Sequence, residues 1–124
     1  MGKFQDLKVW QRAKDLAVYI YRLTSEGAFL KDYGLRDQMR RAAVSIPSNI
    51  AEGDELGTDK QSVRYFYTAK GSSAELLTQA IIASEVGYLS RCWRDWERYQ
   101  IWDWWYLRKS REAIGIPNAS CLKT

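Results

Sequence analysis

Along most of this chain the apolar residues recur three and four positions apart, the spacing that lines one side of a 3.6-residue helix. The first such stripe is Leu7, Trp10, Ala13, Leu16, Ala17, Ile20 and Leu23, which predicts a helix over about residues 6–24. Lys8, Arg12, Lys14, Asp15 and Arg22 fall on its solvated side, and Asp6 stands where an N-cap carboxylate accepts from free first-turn amides. Residues 25–34 hold two glycines and no period, and read as a turn. A second helix over 35–56 would carry Leu35, Met39, Ala42, Ala43, Ile46, Ile50 and Leu56 inward. Pro47 lies inside that pattern, where it removes one amide donor and crowds the carbonyl four residues back. Because the period resumes after it, a kinked second helix is expected rather than two helices.

Gly53 and Gly57 stop that helix, and Thr58 followed by Gln61 fits a capping box that opens a third helix over 59–87. Its expected inward residues are Val63, Phe66, Tyr67, Ala69, Ala74, Leu77, Ile81 and Tyr88. Gly71, Ser72, Ser73 and Ala74 form a run of small residues at its centre, which predicts close approach by a neighbouring helix. A fourth helix over 90–113 would show one side of Trp93, Trp96, Tyr99, Trp102, Tyr106 and Ala113. Trp104, Trp105 and Leu107 point elsewhere, more apolar surface than one core requires. We therefore read Trp93, Trp104, Trp105 and Leu107 as an oligomer interface. Gly115 and Pro117 disengage a short tail, 115–124. The connections are short, so consecutive helices are expected to be antiparallel neighbours in one all-α domain, an up-down-up-down four-helix bundle spanning residues 1–124.

With 46% apolar and 27% charged residues among 124, the composition is that of a globular chain able to bury about two-thirds of its unfolded surface. Lys3, Asp6 and Lys8 occupy the place of a leader's apolar run, and no stretch nears the roughly 20 apolar residues of a membrane span. A cytoplasmic protein is expected. Cys92 and Cys121 make no redox pair motif and read as structural thiols. Histidine is absent, which removes the commonest general base and the commonest metal ligand together. A two-metal centre built on Glu52, Glu75 and Glu85 would need a Glu-x-x-His pair on two helices. Ser45, Ser72 and Ser73 have no histidine to activate them, and no glycine loop with its lysine cradles phosphate. The expectation is a protein without catalytic site, metal or cofactor.

The net charge of +4 is uneven. From Arg91 onward seven basic residues face four acids, a surplus of three. Arg36 and Arg40 on the second helix, with Arg94, Arg98, Arg108 and Arg111 on the fourth, would suit phosphate contacts, with nearby tryptophan and tyrosine rings able to stack on unpaired bases. A merely solvated basic face reads the charge equally well. Arginine and tryptophan also mark the centres of protein interfaces, so subunit packing and an outside protein partner stand beside nucleic acid.

Three strings, FQDLKVWQRA at 4–13, GLRDQMRRAAVSIPSNIAEG at 34–53 and AKGSSAELLTQ at 69–79, resemble a family of small four-helix bundle proteins first noticed inside intervening sequences of bacterial large-subunit ribosomal RNA genes. The resemblance covers about Phe4 to Leu89. That family is similar to the accessory proteins of diversity-generating retroelements, pentameric barrels that bind a reverse transcriptase and nucleic acid. The resemblance implies a homopentamer and a nucleic-acid-associated accessory role without catalysis. Arg40, Arg41, Ser45, Pro47, Asn49, Glu52 and Gly53, with Gly71, Ser72 and Glu75, match its motif, and none has a catalytic role there. A structural reading serves as well, with Ser45 and Asn49 satisfying groups freed by Pro47, and Glu52 or Glu75 pairing with Arg40 or Arg41. The segment RCWRDWERYQIWDWWYLRK at 91–109 departs from the plainer aliphatic helix expected of the family, which leaves the partner open.

Overall fold

Leu16, Ala17, Ile20 and Ala13 are all buried along one side of a single helix, as their spacing predicts. In the computed structural model, which describes residues 3–56 and 58–90, this is α1, Lys8–Leu23. A one-turn 3₁₀ segment, Phe4–Asp6, precedes it, α2 spans Tyr33–Glu55 and α3 spans Asp59–Glu85, with a second 3₁₀ turn at Gly27–Leu30 between α1 and α2. The described residues thus form helices joined by turns, with no strand among them. The fourth helix expected at 90–113 and the tail at 115–124 lie outside them.

Asp6 does not cap α1. The extended residue before the helix is Leu7, with no side-chain cap, and Asp6 belongs to the 3₁₀ turn. Leu7 packs against the core, and the Phe4 ring meets Trp10 edge-on at 5.2 Å, so apolar contact sets the entry of the chain. α2 begins two residues earlier than expected, because Asp32 is its cap and accepts from the Leu35 amide at 3.1 Å. The same carboxylate accepts from the Tyr88 hydroxyl at 3.1 Å, and the Tyr88 ring stands edge-on to buried Phe29 at 5.4 Å. That hydrogen bond, then the charge of Asp32, raises the Tyr88 pKa above its ordinary 10.0.

α2 runs unbroken through Pro47 and buries Met39, Ala42, Ala43, Ile46 and Ile50, all expected inward. Leu56, expected with them, is exposed, since the helix ends at Glu55. α2 packs against α3 and, over a smaller area, against α1, while α1 and α3 make no comparable approach to each other. The pairs Gly53 with Ser62, Ser45 with Ser72 and Asp32 with Tyr88 place α2 and α3 antiparallel.

The largest departure is the orientation of α3. Its buried residues are Ala69, Ser73, Leu76, Gln79, Ala80 and Ala83, with Phe66 and Leu77 partly buried against the core. Val63, Tyr67 and Ile81, expected inward, are exposed. The helix carries apolar residues on two sides, and the side of smaller side chains faces α2, because close packing rewards fit as well as hydrophobicity. The capping box is not formed either. Thr58 is the N-cap, but its hydroxyl donates to the Gln61 side chain at 3.0 Å instead of accepting from a backbone amide. α3 ends in a Schellman turn, in which the Tyr88 amide reaches the Ala83 carbonyl and the Gly87 amide reaches that of Ser84. Gly87 takes φ of 87° there, a conformation that favours glycine.

Candidate nucleic-acid interface

Arg36 and Arg40 lie one turn apart on α2, on the side next to the C-terminal end of α1. Arg40 reaches the polar end of that helix. Its Nε donates to Thr24 Oγ1 at 2.9 Å and its Nη2 to Ser25 Oγ at 3.1 Å and, at 3.5 Å, to the Tyr21 carbonyl. The guanidinium also lies over the Tyr21 ring, 4.7 Å from its centre, in cation–π range. Thr24 is fully buried and donates onward to the Ile20 carbonyl at 2.7 Å. A cation set against the last carbonyls of a helix is stabilised by the helix dipole. Arg40 therefore joins α1 to α2.

Arg36 lies over the Tyr33 ring at 4.7 Å and pairs with its neighbour Asp37 at 3.4 Å. The other ion pair among the described residues is Lys14–Asp15. Arg40 and the exposed Arg41 thus have no carboxylate partner there. Glu52 and Glu75, expected to pair with them, do not, because Arg40 is drawn to α1 and Glu75 accepts from Gln79 at 3.3 Å. Arg40, Arg41, Tyr21, Val44, Ser45 and Asp37 line an open cleft of about 490 Å³. It presents two guanidiniums, neither of them ion-paired among the described residues, beside an aromatic ring and the Asp37 carboxylate. Arg94, Arg98, Arg108 and Arg111, with Trp93, Trp104, Trp105 and Leu107, lie outside the described residues.

Ser45, Gly53 and Ser72 of the motif lie at the contact between α2 and α3. Ser45 and Ser72 share a hydrogen bond of 2.9 Å, and Asn49 Nδ2 donates to the Ser45 carbonyl at 2.7 Å and its hydroxyl at 2.9 Å. The carbonyl that Pro47 deprives of a donor is that of Ala43. Asn49 therefore does not repair the helix ladder as expected; it orients Ser45 toward α3. Gly53 is buried, and its carbonyl accepts from Ser62 Oγ. A Cβ on Gly53 would meet Tyr65 Cβ at 3.1 Å and the Ser62 carbonyl at 3.2 Å. Gly71 behaves differently: nothing lies within 4 Å of where its Cβ would be, so the close approach expected of the small run falls to Ser72 and Ser73.

This chain, with Ser45, Gly53 and Ser72 of its motif on the α2–α3 seam, matches the model of the 23S rRNA-intervening sequence protein over residues 5–96. The chain belongs to the 23S rRNA-intervening sequence protein family. A search of curated proteins returned no match. The family match contains the second and third strings and all of the first but Phe4, and it ends before Trp102, Trp104 and Trp105. Sequence reasoning missed Tyr21, Thr24 and Ser25 as the seat of Arg40. Two hydroxyl residues just past a helix end were the only local signal, and nothing local says which cation they receive.

Proposed function

We propose that this chain is a non-enzymatic, homo-oligomeric accessory protein of the cytoplasm that binds RNA or DNA and works beside a reverse transcriptase. In this reading residues 90–113 add the fourth antiparallel helix of an up-down-up-down bundle, and Trp93, Trp104, Trp105 and Leu107 serve contacts between subunits, up to the ring of five that the family resemblance implies. The observation that carries nucleic-acid binding is the cleft where Arg40 and Arg41, which have no carboxylate partner among the described residues, stand beside Tyr21. Arg41, with no hydrogen bond or ion pair among the described residues, is the member available for a phosphate, while Arg40 is anchored by its contacts to α1. Arg36, Arg94, Arg98, Arg108 and Arg111 extend the basic set.

Binding of RNA and single-stranded DNA, measured against salt, tests this. Affinity should fall linearly on a logarithmic salt axis, and Arg41→Ala should flatten that slope by about one phosphate contact. Undetectable binding at low salt, or binding unchanged at high salt, defeats the proposal. A second reading, a protein scaffold with no direct nucleic-acid role, is favoured by the exposed apolar side of α3. A specific protein partner retained after nuclease treatment would support it.

A further inference from the structure

At about 100° per residue, Val63, Tyr67, Gly71, Ala74, Thr78 and Ile82 lie on the side of α3 opposite the buried Ala69, Ser73, Leu76 and Ala80. This outer side is apolar and open: Tyr67 is 66% exposed, Val63 49% and Ile82 47%. A helix needs one apolar side to join its own bundle, and a second, opposite one calls for a cover. Charge is sorted along the same side, with Lys60 and Arg64 near the start of α3 and Glu85 at its end. None of the three has an ion pair among the described residues, where the pairs are Lys14–Asp15 and Arg36–Asp37.

The pattern is complementary to itself when reversed. Turning a second α3 end for end about a point between Ser72 and Ser73 sets Val63 against Ile82, Tyr67 against Thr78 and Gly71 against Ala74. It also brings Lys60 and Arg64 of each copy to Glu85 of the other, whereas a parallel pairing sets Lys60 beside Lys60. The smallest residues meet at the middle, and above Gly71 there is room for another backbone. We infer that the outer side of α3 is a two-fold interface that takes α3 of a second copy of this chain, antiparallel. Such a contact is isologous and closes at two chains. It is therefore not the repeating contact of a ring, and where rings of five form it joins two of them.

Light scattering or sedimentation of the full chain tests this at micromolar concentration, with helicity followed by circular dichroism. The expected mass is an even number of chains. Tyr67→Glu should halve the mass, or raise the dissociation constant by about tenfold or more, with helicity unchanged. Gly71→Leu should do the same; it improves the helix and meets open space in the single chain, so it separates loss of contact from loss of fold. Lys60→Glu should weaken the pairing, and Lys60→Glu with Glu85→Lys should restore it. A mass of five chains overturns the inference and leaves the ring standing. Two chains support it and defeat the ring; ten support both. A single chain overturns both and assigns the outer side of α3 to residues 91–124 or to another partner. An even mass that neither Tyr67→Glu nor Gly71→Leu disturbs also overturns it.

Discussion

On the α1 side of α2 the contact is made by larger aliphatic chains, chiefly Leu16 and Ile20, closed at the helix end by Arg40. On the α3 side it is made largely by small residues, Ala69, Ser73, Ala80 and Ala83, joined by the Ser45–Ser72 hydrogen bond and by Gly53 against Ser62 and Tyr65. The first contact draws on the area removed from water. The second depends more on how closely two backbones come together. Removing volume should therefore harm the α1 contact most, and adding it should harm the α3 contact most.

Ile20→Ala should produce the largest loss. Ile20 is 1% exposed and the substitution leaves a cavity, so unfolding free energy should fall by about 2–5 kcal/mol in a denaturant titration. A loss well under that range would mean that α1 contributes little to holding α2. Gly53→Ala comes next, at about 1–3 kcal/mol, because the added methyl meets Tyr65 Cβ and a backbone carbonyl that cannot turn aside. An unchanged midpoint in the same titration would show that the seam has slack and that the contrast between the two sides is wrong. Ser72→Ala should be smallest, about 1 kcal/mol, since Ser45 keeps its bond to Asn49. A double-mutant cycle with Ser45→Ala checks it, and additive losses would indicate that the two hydroxyls do not act as a pair.

The same contrast explains what could be read from the chain. The α1 stripe was legible because Leu7, Trp10, Ala13, Leu16, Ala17, Ile20 and Leu23 keep one unbroken three-and-four spacing, with Val18 and Tyr21 exposed outside it. α3 was legible only in part: Phe66, Ala69, Leu77 and Tyr88 do meet the core, but the bulkier Val63, Tyr67 and Ile81 drew the expected inward side away from Ser73, Leu76, Ala80 and Ala83. At the candidate site, Arg36 and Arg40 were legible as basic residues on α2, but the commitment of Arg40 to Thr24 and Ser25 was not. The group it satisfies is a helix end brought up by the fold. Gly71 and Gly53 were both visible as helix glycines, and only neighbouring atoms distinguish the open position from the crowded one. Asp32 carried a readable cap signal just before Tyr33 that the apolar period, beginning at Leu35, concealed.

Because α2 is the shared neighbour, its two flanks can come loose separately. Detaching α1 leaves the α2–α3 hairpin with its seam, including Gly53 and Ser72, in place, whereas freeing α2 requires both flanks to dissolve. The amides of α2 that are buried from both directions, near Ala43 and Ile46, should then be the last to trade their protons for solvent deuterons, released only when the whole described assembly comes apart.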